Sequence, residues 1–216
     1  MIRPLLFLAL SLPLLADPAK WEKDIAKFEA ADKKSAPPKN AHLFIGSSSV
    51  RMWDLKKSFP KITTINRGFG GSELEDSLHF ADRIVIPYQP KAVYLYAGDN
   101  DIGNGKTVET VISDYQKFVK KVHASLPKTD IVFIPIKPST KRWDLWPKMN
   151  KANFAIQKIS QSHPKLHYID IPAAMLITGQ PPAADLFLKD GLHMSDKGYE
   201  MWNTKVIKWL KKNANR

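Results

Sequence analysis

Short apolar runs recur along this sequence, and segments with helical periodicity separate them. The runs cover residues 42–45, 62–65, 92–97, 131–136 and 166–171, and each ends at glycine, asparagine or a residue next to proline. They are rich in β-branched and aromatic residues, which favours strands. Because they are almost continuously apolar, both of their faces are expected to be buried, as in a parallel sheet. The pattern predicts a mostly parallel five-stranded sheet.

Three longer segments carry the apolar stripes of amphipathic helices. They lie at residues 108–122, 149–159 and 199–210, with Thr107 and Ser195 as candidate N-caps of the first and third. We interpret the aromatic residues in these stripes as core residues. Strands that alternate with helices across short connections predict an α/β protein, a three-layer α/β/α sandwich with right-handed crossovers.

The N-terminus reads as a targeting segment. Arg3 precedes an almost entirely apolar stretch over residues 4–15, and the small residue Ala16 follows it. A positive charge followed by about 12 apolar residues predicts a secretory signal peptide over 1–16, and such a run is shorter than the ~20 residues that span a bilayer. We expect an exported protein, periplasmic or extracellular, with no integral membrane span.

Residues 17–40 are expected to form a lead-in to the main domain at 41–216. Trp21, Ile25 and Phe28 recur at helical spacing, so a short amphipathic helix is predicted there. The proline-containing segment 35–40 then reads as a linker.

Charge and cysteine content exclude several classes of function. Lysine and arginine number 33 against 21 acidic residues, a formal net charge of +12, and 27 of those 33 are scattered lysines. Recognition of phosphates and bases favours the bidentate guanidinium of arginine, so we interpret the charge as a solvated basic surface and expect no nucleic-acid partner. The chain has no cysteine, which excludes disulfides, thiolate metal sites and a cysteine nucleophile.

Polar, glycine-rich segments follow the ends of three predicted strands. These are residues 46–49 (GSSS), 66–72 (NRGFGGS) and 98–101 (GDND), and a fourth segment, 190–193 (DGLH), lies near the C-terminus. Six of the ten glycines fall in these four segments. Glycine permits the close backbone approach that a site built from turns requires. Because ligands bind beyond the carboxyl ends of parallel strands, we expect the functional site there.

The residue types in these segments suit nucleophilic catalysis. Serine needs a base to take its proton, and His193 is the histidine with a carboxylate at a defined spacing, Asp190 three residues before it. Such a carboxylate fixes the imidazole tautomer and stabilises the imidazolium. The side-chain amide of Asn100 and the backbone N–H groups of Ser48 and Gly71 are candidate oxyanion donors, each worth about 10²–10³-fold in rate.

The four segments together resemble the SGNH hydrolases, also called GDSL esterases and lipases, whose blocks occur here in order across residues 41–210. Spacing alone does not choose among Ser47, Ser48 and Ser49, but the family's first block identifies Ser48 as the nucleophile. The other blocks then imply that Gly71 and Asn100 complete the oxyanion hole with the Ser48 N–H, and that Asp190 and His193 complete the catalytic set.

The resemblance has further implications for fold and chemistry. The first block carries Ser47 in place of the family's aspartate, a variant similar to bacterial members near the platelet-activating-factor acetylhydrolases. The family implies a flavodoxin-like fold and ester hydrolysis without a metal or other cofactor. Asp99 and Asp101 of the third block are interpreted as structural residues rather than metal ligands, because no cluster of histidine and aspartate ligands accompanies them in the sequence.

Two features of the function are left open by the sequence. The substrate is a short acyl or acetyl ester of either a carbohydrate or a small lipid alcohol, and the oligomeric state is undetermined. Arg142 and Trp143, beyond the fourth strand, either stack on a sugar substrate or pin their own loop. A non-catalytic glycan- or lipid-binding module on the same fold is the alternative to an esterase.

Overall fold

The protein is built around a five-stranded sheet in which every neighbouring pair of strands is parallel. The computed structural model describes residues 18–213, so the predicted signal peptide lies outside the described residues. The strands are β1 (His42–Gly46), β2 (Thr64–Gly68), β3 (Ala92–Tyr96), β4 (Asp130–Phe133) and β5 (Leu166–Tyr168), in the spatial order β2-β1-β3-β4-β5. This is the flavodoxin-like order, and the predicted fold class is confirmed.

Helices cover both faces of the sheet. Their bounds within residues 18–213 are α1 (Glu22–Lys34), α2 (Ser48–Arg51), α3 (Leu55–Ser58), α4 (Leu74–Ile84), α5 (Asp99–Gly103), α6 (Val108–Ser125), α7 (Trp146–Gln161), α8 (Pro172–Leu176) and α9 (Asp196–Lys212). Two of their N-caps are the predicted ones. The Thr107 hydroxyl accepts the Thr110 N–H at 3.1 Å, and the Ser195 hydroxyl accepts the Gly198 N–H at 3.2 Å.

Alternate residues of each strand divide the core into two halves. Leu43 and Ile45 of β1 pack on the side of α1, α4, α6 and α7, whereas Phe44 between them packs on the side of α2, α3, α8 and α9. Successive side chains of a strand point to opposite faces, and both faces here are apolar. This explains why the strand sequences run almost continuously apolar.

Strand β2 differs from the prediction. The apolar run at 62–65 predicts a strand that ends at Asn66, but β2 spans Thr64–Gly68 and includes Asn66. The Asn66 amide donates to the backbone carbonyls of Val50 and Trp53, and its oxygen accepts the Gly68 N–H. Asn66 is partly buried, and a polar side chain is tolerated there when its hydrogen bonds are made, so a polar residue continues the strand.

The fourth strand ends earlier than its apolar run. The run extends to Ile136, but β4 ends at Phe133. The Asn153 side chain of α7 accepts the Ile136 N–H and donates to the Ile136 carbonyl, both at 2.8 Å. The Asn153 side chain therefore satisfies the N–H and carbonyl groups of Ile136, which would otherwise bond to a neighbouring strand. The chain can leave the sheet here although it stays apolar and buried.

The lead-in helix packs against the main domain. Trp21 and Ile25 are buried, and Phe28 packs against the same core. Arg83 of α4 binds Glu22 and Glu29 of α1 at 2.7–2.8 Å. Within residues 18–213, no helix is long and apolar enough to cross a membrane.

The strand order places the candidate site. From β1 the chain crosses to β2 at one edge, and it then returns to β3 on the other side of β1. Connections therefore diverge at the carboxyl ends of β1 and β3, which opens a crevice there. Gly46, Gly68 and Tyr96 end these strands in register with one another, so the segments that follow them meet at this edge.

Candidate active site

Ser48 lies at the turn from β1 into α2. Gly46 has φ of +138°, and a Cβ atom at this position would lie 1.8 Å from the Tyr96 carbonyl oxygen. A side chain would therefore force the strands apart, and glycine is required. Ser47 follows as the N-cap residue, so Ser48 is the first residue of α2. Its backbone N–H is one of the four that have no acceptor within a helix.

The three adjacent serines differ in exposure and contacts. Ser47 and Ser49 are each 2% exposed, whereas Ser48 is partly exposed. The Ser48 hydroxyl lies 3.1 Å from the Nε2 atom of His193, a residue 145 positions along the chain. The hydroxyl of Ser48 is therefore both accessible and within hydrogen-bond distance of a base.

His193 and Asp190 form a local pair in the loop before α9. The Nδ1 atom of His193 lies 2.5 Å from an Asp190 carboxylate oxygen. The other carboxylate oxygen accepts the backbone N–H groups of Leu192 and His193, both at 2.9 Å. The hydrogen bond to His193, helped by these two N–H groups, lowers the pKa of Asp190 to about 2. Asp190 thus remains charged and holds the imidazole with Nε2 towards Ser48.

Asn100 is the second residue of α5, beyond the end of β3, and contacts on both sides fix its amide. Its Nδ2 atom donates to the Ser72 carbonyl at 2.9 Å, and its Oδ1 atom accepts from both terminal nitrogens of Arg142 at 3.2 Å. The amide group therefore has one orientation, which leaves the second hydrogen on Nδ2 for another acceptor.

Gly71 lies in the loop between β2 and α4. Its neighbour Ser72 accepts the hydrogen bond from the Asn100 side chain. The φ of Gly71 is +78°, and a Cβ atom here would stand 3.3 Å from the ring of Trp21. That φ favours glycine. Trp21, the residue directly before α1, thus covers this loop. Its ring also packs edge-on against Phe69, with 5.7 Å between the ring centroids.

A buried ionic cluster lies behind Asn100. Asp99 is contacted by the Lys137 ammonium at 2.5 Å and by the Arg142 guanidinium at 2.5 Å, and the Tyr96 hydroxyl donates to it at 2.9 Å. Burial alone would raise the pKa of Asp99, but the two cations outweigh this effect and lower it to about 2. Asp99 is thus a structural anion that holds Arg142 against Asn100.

Asp101 plays a different structural part in the same turn. It is fully buried and accepts the Leu74 N–H at 3.0 Å, at the start of α4. Burial raises the pKa of Asp101 to about 7, although the Leu74 N–H and Lys106 oppose this. This contact joins the turn that carries Asn100 to the helix that follows Gly71.

Arg142 and Trp143, the candidate substrate contacts, both make contacts within the protein. Arg142 binds Asp99 and Asn100. The Trp143 ring is half-buried and lies parallel to that of Trp146, with 6.4 Å between ring centroids. The sequence left two alternatives for these residues, contact with a sugar substrate or fixation of their own loop. These contacts favour fixation of the loop.

Comparison of the sequence with models of protein families shows which family has this arrangement of residues. A family model described as GDSL-like Lipase/Acylhydrolase matches residues 48–201, well over half of the chain. The chain belongs to this acylhydrolase family. The resemblance expected from the four sequence blocks is confirmed, and this acylhydrolase is a carboxylic ester hydrolase.

Solved structures show the same fold. A structure from Streptococcus pneumoniae named for platelet activating factor is 24% identical, with a TM-score of 0.78 over 89% of this chain and 93% of that one. A GDSL-like lipase from Bacteroides thetaiotaomicron is 17% identical, with a TM-score of 0.76 over 88% and 98%. An acetylxylan esterase from Geobacillus stearothermophilus is 15% identical, with a TM-score of 0.65 over 79% and 94%. No curated protein matches the sequence.

Sequence reasoning missed one residue of the acylhydrolase site. Lys137 is 1% exposed and binds Asp99 and the Tyr96 hydroxyl, but in the sequence it is one lysine among 27. Its signal was its position directly after an apolar run. A cation there is buried beside the carboxyl end of the sheet, where a buried charge needs a partner.

Proposed function

We propose that this protein is an exported serine esterase that uses Ser48, His193 and Asp190. The observation that carries the proposal is the continuous chain of contacts from the Ser48 hydroxyl through both imidazole nitrogens to the Asp190 carboxylate, at 3.1 and 2.5 Å. This is the order of nucleophile, base and orienting anion that serine hydrolysis requires, and it is recognised by geometry rather than by sequence position.

The first half of the reaction forms an acyl-enzyme. Nε2 of His193 takes the hydroxyl proton of Ser48 as Oγ attacks the ester carbonyl carbon, and the charged imidazole is stabilised by Asp190. The carbonyl oxygen becomes an oxyanion. When the tetrahedral intermediate collapses, His193 gives the proton to the leaving alcohol oxygen, and the acyl group stays on Ser48.

Three donors are proposed to bind the oxyanion: the backbone N–H groups of Ser48 and Gly71 and the side-chain amide of Asn100. The first belongs to a helix N-terminus, which favours negative charge. The amide of Asn100 is held in place before substrate arrives, so little reorganisation is needed as the charge develops.

The second half regenerates the enzyme. A water molecule takes the place of the alcohol, His193 removes its proton, and the oxygen attacks the acyl carbon. The same donors hold the second oxyanion. Collapse of this intermediate returns the proton from His193 to Ser48 and releases the carboxylic acid, so that no external oxidant, reductant or cofactor is consumed.

The substrate is proposed to be a short acyl or acetyl ester on a carbohydrate or small lipid alcohol. Support comes from structural neighbours named as an acetylxylan esterase and as lipases. The two alcohol classes can be separated by comparing acetylated xylan with a short-chain lysolipid, after the acyl preference has been measured on nitrophenyl esters from acetate to octanoate.

A serine-directed fluorophosphonate, with peptide mapping, tests the mechanism. We expect stoichiometric labelling at Ser48, loss of both labelling and esterase activity in Ser48→Ala, and loss of labelling in His193→Ala. Ser47→Ala and Ser49→Ala are the matched controls, because they remove neighbouring hydroxyls and should keep a label at Ser48. Equal ester hydrolysis by the wild type and Ser48→Ala would overturn the proposal.

Export is supported by the charged and apolar pattern of residues 1–16. The full-length chain, expressed in a bacterial host, should appear outside the cytoplasm with its N-terminus near residue 17 by mass spectrometry. A version in which two leucines of the apolar run are changed to arginine should stay in the cytoplasm at full length.

A further inference from the structure

Arg142 contacts the proposed oxyanion donor from behind. Both of its terminal nitrogens lie 3.2 Å from the Asn100 side-chain oxygen. One of them also contacts the Asp99 carboxylate at 2.5 Å and the Asp99 backbone carbonyl at 3.0 Å. Arg142 is thus fixed by its own anion, and both of its terminal nitrogens also donate to Asn100.

This contact decides which end of the Asn100 amide faces the substrate. A guanidinium group donates hydrogen bonds and accepts none, so the amide oxygen must face Arg142 and the NH₂ group must face away from it. The Ser72 carbonyl accepts one of the two amide hydrogens at 2.9 Å. The other amide hydrogen is the donor that an oxyanion on Ser48 needs. Among residues 18–213, Arg142 is the residue that donates hydrogen bonds to the amide oxygen, so its removal would leave only the Ser72 contact to oppose rotation of the amide.

The charge of the cluster favours the same outcome. Lys137 and Arg142 carry two positive charges against the one negative charge of Asp99, which leaves one excess positive charge. The Lys137 and Asp99 side chains are 1% and 5% exposed, and charges act more strongly where water is excluded. A cation that donates to an amide oxygen also polarises the amide, which strengthens its N–H as a donor.

We infer that Arg142 is a positioning residue for catalysis: it orients and polarises the Asn100 amide, so that the amide can stabilise the oxyanion. The inference rests on the proposed ester hydrolysis at Ser48. It assigns Arg142 a role in the transition state, in addition to the pinning of its loop and in place of the sugar contact, the two alternatives that the sequence leaves open. The effect of its loss should therefore appear in kcat and not in KM.

A double-mutant cycle tests the inference, with kcat and KM measured on nitrophenyl acetate. Asn100→Ala should lower kcat about 10²–10³-fold. Arg142→Met, which keeps an unbranched apolar chain but removes the guanidinium, should lower kcat roughly ten- to hundredfold with little change in KM, the size expected for a lost charged hydrogen bond. The double variant should be no slower than Asn100→Ala alone, since Arg142 acts through Asn100.

Two further variants guard the interpretation. Lys141→Met removes a cation from an exposed neighbour in the same loop and should keep the wild-type kcat. Arg142→Lys keeps the charge but loses the two-nitrogen contact, so its kcat should lie between those of the wild type and Arg142→Met. It also provides the measurement if thermal unfolding shows that Arg142→Met does not fold.

Several results would overturn the inference. A raised KM with unchanged kcat in Arg142→Met would indicate a substrate contact. Losses in kcat that multiply in the double variant would show that Arg142 does not act through Asn100. A wild-type kcat in Arg142→Lys would show that the two-nitrogen contact is not needed. Failure of the proposed function is distinguishable, because the wild-type protein would then either hydrolyse no ester or hydrolyse it no faster than Ser48→Ala does.

Discussion

Asp190 and Asp99 lie at the same edge of the sheet, and each has a pKa lowered to about 2, but their surroundings are opposite. The Asp190 side chain is 47% exposed, and a hydrogen bond from its neighbour His193 lowers its pKa. The Asp99 side chain is 5% exposed, and its pKa is low because Lys137 and Arg142 outweigh the effect of burial. The solvent-exposed carboxylate of Asp190 can therefore take part in catalysis. The buried carboxylate of Asp99, which binds two cations, maintains the structure instead.

The two aspartates also differ in how their partners are assembled. Asp190 pairs within its own loop, three residues from His193. Asp99 draws on Lys137 and Arg142, which lie 38 and 43 residues along the chain. Removing the charge of Asp190 should therefore disturb the reaction, while removing the charge of Asp99 should disturb folding. The same substitution at both positions separates the two roles.

Asp190→Asn is expected to have the largest effect of the predicted substitutions, and this effect should be on kcat. Asparagine can still accept the Leu192 and His193 N–H groups, but it no longer stabilises the imidazolium, so kcat should fall on the order of 10³–10⁴-fold. Because the side chain is half exposed, the free energy of unfolding should change by less than about 1 kcal/mol. Steady-state kinetics and urea unfolding on one preparation measure both quantities. A large loss of stability would contradict the contrast drawn here.

Asp99→Asn should have its main effect on stability. The buried Lys137 and the partly buried Arg142 would lose their shared anion, and breaking a buried ion pair from one side costs about 3–5 kcal/mol. Urea unfolding measures this loss, and the fraction that remains folded should lose less kcat than Asp190→Asn does. The control is Asp185→Asn, which removes an exposed partner of Lys197 and should change stability by about 1 kcal/mol or less. Equal costs for Asp99→Asn and Asp185→Asn would show that burial does not matter.

Acid should reveal the same contrast through a smaller effect. The pKa of Asp99 in the folded protein is below its usual 3.8, so its contribution to stability is present above about pH 4 and is lost as the pH falls towards 2. A change from 3.8 to about 2 corresponds to about 2 kcal/mol. The difference in unfolding free energy between the wild type and Asp99→Asn should therefore shrink over this range.

The exposed aspartate serves as the reference for that measurement. Solvent screens the Asp190 pair, so the difference between the wild type and Asp190→Asn should change less between pH 4 and pH 2. Asp101, whose pKa is raised, contributes with the opposite sign, because the stability it adds is lost as the pH rises from about 4 to about 7. Differences between variants cancel this contribution, which all of them share. A larger acid effect at Asp190 than at Asp99 would contradict the prediction.

The contrast also explains what the sequence could predict. Asp190 and His193 are close in the chain, so their spacing alone indicated a pair, and the apolar runs indicated the order of strands and helices. The partners of Asp99 meet only after β3 and β4 have paired in the sheet. The position of Lys137 directly after an apolar run indicates burial but not its partner, and no local pattern marks Arg142 as a neighbour of Asn100. For the same reason the local sequence does not predict Asn66 as part of β2, since the carbonyls that accept from its side chain belong to residues 13 and 16 positions earlier in the chain.

One loop joins the two regions, and the smallest predicted effect tests that connection. The segment that carries Lys137 and Arg142 also reaches the Asp190 loop, where the Thr140 hydroxyl and the Lys141 N–H both donate to the Gly191 carbonyl at 3.0 Å. Thr140→Val keeps the shape of the side chain and removes one of these donors. Because the other remains, the loss should be about 1 kcal/mol in stability or about fivefold in kcat.

Thr204→Val is the matched control for Thr140→Val. The Thr204 hydroxyl also donates to a backbone carbonyl, that of Glu200 at 3.0 Å, but Thr204 is an exposed residue of α9 and not part of the loop that carries Thr140. If the loop transmits support from the buried cluster to the catalytic pair, Thr140→Val should lower kcat and Thr204→Val should not. Combined with Asp190→Asn, Thr140→Val should lose most of its effect on kcat, because the orientation of His193 that it supports is then already impaired. Undiminished loss in that combination would mean that the two regions act independently.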